Sequence, residues 1–144
     1  MSIPTKVVVI GAGSASFGEN TLSALMRSKI LRGSTLALVD HNPDTLDTVK
    51  RLAHRLNSEW DSGLSITAHT DHQDALDEKT GFVISGIEVG AREGLWRRDF
   101  EIPLQFGVRQ PYAENGGPGG FAHAARNIGP VLRIVRDMER VCPD

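Results

Sequence analysis

Lys6-Val7-Val8-Val9-Ile10-Gly11-Ala12-Gly13-Ser14-Ala15-Ser16-Phe17-Gly18 opens the chain, and Leu36-Ala37-Leu38-Val39-Asp40 answers it downstream. An unbroken apolar run bounded by turn residues reads as a strand buried on both faces, as parallel strands are. The order is strand, glycine turn, helical pattern, second buried strand and terminal aspartate. That is the order of a dinucleotide-binding βαβ unit. Gly11 is expected to take the tight turn out of the first strand. Gly13 is expected to let backbone amides approach a pyrophosphate, with the helix N-terminus supplying unpaired N–H groups and a partial positive charge. Asp40 can accept hydrogen bonds from both adenosine ribose hydroxyls and would repel a 2′-phosphate, so NAD is expected over NADP. The third glycine of G-x-G-x-x-G is Ser16 here, still small enough for close helix–strand packing, and Gly18 follows two residues later. Taken alone, Asp40 suits a helix N-cap equally well, and both roles can hold together.

The remaining organisation is read outward from that unit. A helix follows Gly18, with Leu22, Leu25, Met26 and Ile30 on one face, and Arg32-Gly33-Ser34 breaks it. Thr35–Asp40 is the second strand. Asn42 is expected to cap a helix that has Pro43 at its first position and runs to about Ser58, burying Leu46, Val49, Leu52, Ala53 and Leu56. Leu64–His69 reads as a third strand, Thr70–Leu76 as a short capped helix and Phe82–Ile87 as a fourth strand ending at the Gly11–Gly13 crevice. Helix is expected again from about Glu93 to Phe106, then a Gly/Pro-rich loop over Val108–Gly120. A long helix over Phe121–Val141 should turn Ile128, Val131, Leu132, Val135 and Met138 inward. The fold class is α/β, a Rossmann-like doubly wound parallel sheet. Such a helix returns to a further strand, so the chain is expected to be the N-terminal part of a larger protein, with residues 1–144 its dinucleotide-binding domain.

The 144 residues are one domain by length, 40% hydrophobic and 24% charged, with a net charge of −2. That balance gives no basic stripe for nucleic acid. No apolar run approaches the roughly 20 residues of a membrane span, and the N-terminus enters the first strand without a signal peptide. A single cysteine excludes an internal disulfide and suits a reducing cytoplasm.

The second half carries a resemblance. Glu88-Val89-Gly90, Arg97-Arg98-Asp99-Phe100-Glu101-Ile102-Pro103-Leu104-Gln105-Phe106-Gly107, Glu114-Asn115-Gly116-Gly117-Pro118-Gly119-Gly120, Ala125-Arg126-Asn127-Ile128 and Asp137-Met138-Glu139-Arg140-Val141-Cys142-Pro143-Asp144 resemble glycoside hydrolase family 4. The opening glycine run and Asp40 fit the same family. The family departs from the two-carboxylate glycosidase mechanism. The resemblance implies redox-assisted elimination: bound NAD⁺ oxidises the sugar C3 hydroxyl, the C2 proton is removed, the aglycone leaves C1, water adds and the hydride returns. It also implies a divalent metal, usually manganese, that polarises the C2 and C3 oxygens.

Residue by residue, Gly11, Gly13, Ser14, Ser16, Phe17 and Asp40 match the family's NAD site. Glu114 matches an active-site glutamate thought to tune the catalytic tyrosine, and Asn115 stands where many members have threonine near the substrate. The metal ligands and the catalytic base are expected beyond Asp144, with no metal ligand in this chain, which alone should bind NAD without turnover. Phospho-glycosidase members carry arginine three residues before the aspartate of Asp-x-x-Ile-Pro-Leu, where this chain has Trp96. Tryptophan cannot grip phosphate bidentately and is a platform for a sugar face. A non-phosphorylated α-glycoside is therefore expected: an α-galacturonide, α-glucuronide or α-galactoside. Arg92, Arg97 or Arg98 would pair with a uronate, or be solvated helix charges. A homo-oligomer is expected at full length.

Other readings stay open. A dehydrogenase of the lactate or malate type would share the opening unit, and a stand-alone NAD-binding module would need nothing more. His69-x-x-His72 suits separate roles better than a metal pair, and His123 is either a crevice residue or a capping one. Gly116–Gly120 is either a second phosphate loop or a hinge before the long helix.

Overall fold

The computed structural model describes residues 2–111 and 116–143, with only the backbone described for Ala15, Ser16 and Phe17. It divides into two compact units, residues 1–86 with 137–144, and residues 87–136.

The first unit holds four parallel strands, β1 (Lys6–Ile10), β2 (Thr35–Val39), β3 (Ser65–His69) and β4 (Thr80–Ser85), in the order β3-β2-β1-β4. Val7 to Ile10 and Leu36 to Val39 are buried, because β1 and β2 lie inside the sheet and have no face left for water. The register aligns Ile10 with Val39 on one side and with Ser85 on the other. Gly11, Asp40 and Gly86 therefore leave the sheet together at its carboxyl edge, where the strand order reverses. Helix α1 (Ala15–Arg27) joins β1 to β2, and α2 (Pro43–Glu59) joins β2 to β3. They press Leu22, Met26, Leu46 and Ala53 into one core with the strand residues. The α2 cap forms as expected: the Asn42 side chain accepts from the amides of Asp44 and Thr45 at 3.0 and 3.3 Å, and Pro43 occupies the first turn.

Three expectations for this unit fail. Ile30 does not share the α1 face; the helix stops at Arg27 and Ile30 is 59% exposed. Strand four starts earlier and stops at Ser85, without Gly86 and Ile87. Thr70–Leu76 is a run of turns and not a helix. Asp71 accepts from the Gln73 amide at 2.9 Å as a cap does, but only a single turn follows, with the Ala75 and Leu76 amides both donating to the His72 carbonyl at 3.0 Å. Ala75 and Leu76 are buried, and Asp77 accepts from Lys6 Nζ at 2.8 Å beneath β1.

The 70–76 loop is tied to Asp137, whose Oδ2 accepts from Gln73 Nε2 at 2.9 Å and lies 2.8 Å from His72 Nε2, while Arg140 Nη2 donates to its Oδ1 at 2.6 Å. The Gln73 hydrogen bond first, then the His72 bond and the Arg140 charge, hold the Asp137 carboxyl below its ordinary value of 3.8. A native value below the unfolded one gives stability that is fully present above the unfolded value and lost as pH falls through the native one. The thermal midpoint of Asp137→Asn should therefore lie below that of the parent at pH 7, and the gap should close as pH falls below about 4. A gap independent of pH in differential scanning calorimetry would assign the contribution to packing.

The second unit is built from α3 (Arg92–Gln105) and α4 (Gly117–Val141), which remains in this unit through residue 136. Helix α4 begins four residues before the expected Phe121, inside the glycine run. Gly119 and Gly120 are buried, and the Gly119 amide donates to Gln110 Oε1 at 3.0 Å while Gln110 Nε2 donates to the Asp99 carbonyl at 2.9 Å. These glycines are thus a packing device, small enough for the 99–110 backbone to come close. The expected inward stripe on α4 is not buried: Ile128, Val131, Leu132 and Val135 are exposed and Ile134 is buried. Periodicity marks an apolar face but not what covers it. Among the described residues, no helix is long and apolar enough to cross a membrane.

Candidate functional site

Gly11 leaves β1 with φ 84°, a conformation that costs glycine little, and its amide and that of Ala12 donate to the Val39 carbonyl at 2.9 and 3.0 Å. This turn brings the loop 11–14 against the end of β2. The Gly13 amide then donates to Asp40 Oδ2 at 2.8 Å, and the Asn42 amide donates to Asp40 Oδ1 at 2.9 Å. A Cβ on Gly13 would stand 2.7 Å from Asp40 Oδ2 and 2.5 Å from Thr45 Oγ1. Gly13 is therefore required by the carboxylate itself, a cradle that no side chain can share.

Asp40 is only 10% exposed at its side chain, yet each oxygen accepts one amide and a carboxylate offers about four lone-pair sites. One acceptor site on each oxygen is left for a vicinal diol. Asp40 thus closes a turn onto Asn42 and is not itself the cap of α2, a role that Asn42 takes. Ser14 accepts from the Gly18 amide at 2.7 Å at the entrance to α1. Ser16 and Phe17 lie in the first turn, whose amides have no carbonyl within their own helix to bond. A phosphate is the group that this positive end accommodates.

Gly18 has a function that the motif would give to the third glycine. A Cβ there would lie 2.5 Å from the Ala12 carbonyl oxygen, a backbone atom that cannot step aside. The close helix–strand approach is made at Gly18.

Trp96 stands in the second unit, inside a polar cluster. Its indole N–H donates to Glu88 Oε1. Arg92 lies with its guanidinium carbon 4.2 Å from the indole centroid and its Nε 3.3 Å from Glu88 Oε2. The His123 ring meets Trp96 edge-on at 6.0 Å, with Nδ1 3.8 Å from Glu88 Oε1. Asn127 accepts from the Val89 amide at 3.0 Å and donates to the His123 carbonyl at 2.9 Å. Trp96 is therefore a held ring with a cation on one face, and not a bare platform. Arg97 and Arg98 are exposed. Behind this cluster Asp99, 7% exposed, takes Arg126 in a two-pronged pair, Nη1 to Oδ1 at 3.0 Å and Nη2 to Oδ2.

Glu114 and Asn115 lie outside the described residues. His69 pairs with Thr67 and His72 with Asp137, so each takes a partner of its own. Among the described residues no three His, Cys, Asp or Glu side chains come together to hold a metal ion. Sequence reading missed Gly18, Glu88 and the Asp99–Arg126 pair. Arg92 and Trp96 share a face of α3 at a spacing of four, but Glu88 precedes the helix, beyond Gly90 with φ 88°, so no helical spacing announced it.

The profile of the Family 4 glycosyl hydrolases matches residues 6–144. An α-glucosidase of Erwinia rhapontici is 44% identical over 140 residues, which are 97% of this chain and 31% of that protein. An α-galactosidase of Bacillus subtilis (strain 168) is 34% identical over 139 residues, 96% of this chain and 32% of that protein. The crystal structure of a 6-phospho-α-glucosidase from gut microorganisms, in complex with NAD and Mn²⁺, superposes with a TM-score of 0.82 at 21% identity, covering 98% of this chain and 31% of that one. The chain spans about a third of the length of the relatives it matches.

Proposed function

The chain belongs to the family 4 glycosyl hydrolases, and from that membership we propose that it is the NAD-binding part of an enzyme that hydrolyses a non-phosphorylated α-glycoside. The observation that carries the nucleotide reading is the Asp40 carboxylate, gripped by the Gly13 and Asn42 amides beside the N-terminus of α1. NAD⁺ supplies a hydride acceptor that returns what it takes, which suits a hydrolase with no net redox change. This chain's residues do the binding. Gly11 and Gly13 shape the loop, the first turn of α1 with Ser14, Ser16 and Phe17 receives the pyrophosphate, and Asp40 takes the ribose diol and repels a 2′-phosphate. A divalent metal, manganese by family, and its ligands belong to the rest of the enzyme. Glu114 and Asn115 are assigned to the sugar side of the active site.

The non-phosphorylated substrate is supported by Trp96, which offers no bidentate phosphate grip, and by the α-glucosidase and α-galactosidase relatives. A cytoplasmic location agrees with the lone cysteine, a free thiol. The test is the thermal midpoint of the chain with NAD⁺, with NADP⁺ and with neither. A ligand at 100 times its Kd stabilises by about 2.7 kcal/mol. A rise with NAD⁺ alone is expected; a folded baseline that neither nucleotide moves would remove the cofactor and the mechanism with it. At full length, hydrolysis of p-nitrophenyl α-glycosides should exceed that of their 6-phosphates.

A further inference from the structure

We infer that Glu88 is a specificity-determining residue, and that the substrate it selects is a neutral α-glycoside in preference to either a 6-phosphate or a uronide. The inference rests on the reading that Trp96 faces the sugar, and it narrows that reading.

The argument is one of charge. Arg92 is the cation nearest the Trp96 ring, and it is committed twice: its guanidinium covers the indole face, and its Nε faces Glu88 Oε2 at 3.3 Å. Glu88 in turn accepts the indole N–H, the one polar hydrogen of the ring. Glu88 and Arg92 thus pair charge against charge, and the Arg92 cation is not left unmatched. A phosphate dianion or a uronate carboxylate arriving at Trp96 meets, in Arg92, a cation that Glu88 already neutralises. A sugar hydroxyl meets an acceptor in Glu88 and an apolar ring. Glu88 is 23% exposed at its side chain and Arg92 54%, so a ligand can reach the cation, and the more sheltered Glu88 is what offsets it. Specificity here comes from a repulsive element as much as from an attractive one. The same geometry removes Arg92 from the arginines available to a uronate.

Glu88→Gln keeps an oxygen for the indole N–H and deletes the charge. In the full-length enzyme, kcat/KM is measured for p-nitrophenyl α-glucoside, its 6-phosphate and p-nitrophenyl α-glucuronide. The expected result is a ratio of anionic to neutral substrate that rises about tenfold or more in Glu88→Gln. Arg92→Gln strips the balancing cation and should move the ratio the opposite way, so the pair of variants reads the charge even if one of them folds poorly. Ratios unchanged in both variants, or moved in the same direction in both, would overturn the role of Glu88. Preference of the unaltered enzyme for the 6-phosphate would instead overturn the non-phosphorylated reading, which is judged without any variant.

Discussion

Asp40→Ala is expected to weaken NAD⁺ binding about a hundredfold. The residue offers one acceptor site per oxygen to a ribose diol, and a hydrogen bond to a charged group contributes about 1.5–3 kcal/mol. Losing two such bonds at the lower end is about 3 kcal/mol, and each 1.4 kcal/mol is a factor of ten in Kd. The same variant orphans the Gly13 and Asn42 amides, which now donate to Asp40 at 2.8 and 2.9 Å, so its thermal midpoint should fall as well. Asp40→Asn separates the two effects. It keeps one oxygen and removes the charge that repels a 2′-phosphate, so NADP⁺ affinity should rise relative to NAD⁺. Isothermal titration of both nucleotides against both variants checks this. An NAD⁺ Kd unchanged in Asp40→Ala would leave Asp40 as a turn-closing residue only.

Asp99→Ala is expected to destabilise the second unit by about 3 kcal/mol. Breaking a buried ion pair by removing one partner costs about 3–5 kcal/mol, because the other charge stays buried without its partner. The lower end applies because the Arg126 side chain is 26% exposed and water can reach part of it. Asp99 raises the Arg126 guanidinium above its usual value through the hydrogen-bonded pair. The Arg126 Nε is itself buried with no hydrogen-bond partner, so the pair is already the main compensation for that group. Urea unfolding of Asp99→Ala, with Arg126→Met to remove the charge as well as the contact, measures the coupling. A loss below about 1 kcal/mol would place the pair with exposed surface bridges.

What could be read from the residues in order was what depends on neighbours in the chain. The runs Val7–Ile10 and Leu36–Val39 announced strands buried on both faces, since no polar residue interrupts them. Asn42 and Pro43 announced the start of α2, because a cap acts within three residues. Gly11 announced a turn that needs positive φ. Asp40 marked the end of the second strand, where its carboxylate stands beside the glycine loop. The places where reading failed share a cause. Thr70–Leu76 has a cap and helix-compatible spacing, but only one turn forms before Ala75 and Leu76 are buried. The apolar stripe of α4 was legible as a stripe and not as an exposed one.

The sequence by itself determined the α/β class, the parallel strands of the βαβ succession, and the glycine loop facing an aspartate at the end of the second strand. Each of these is set by side chains within one element or one turn, where spacing and conformation are coupled directly. Only the tertiary structure decided that Gly18 meets the Ala12 carbonyl, that Gly13 makes room for Asp40 across 27 residues, that Arg126 closes on Asp99 and that Glu88 holds Trp96. These are contacts whose partners are chosen by where the chain folds back, and no local preference encodes which distant group arrives.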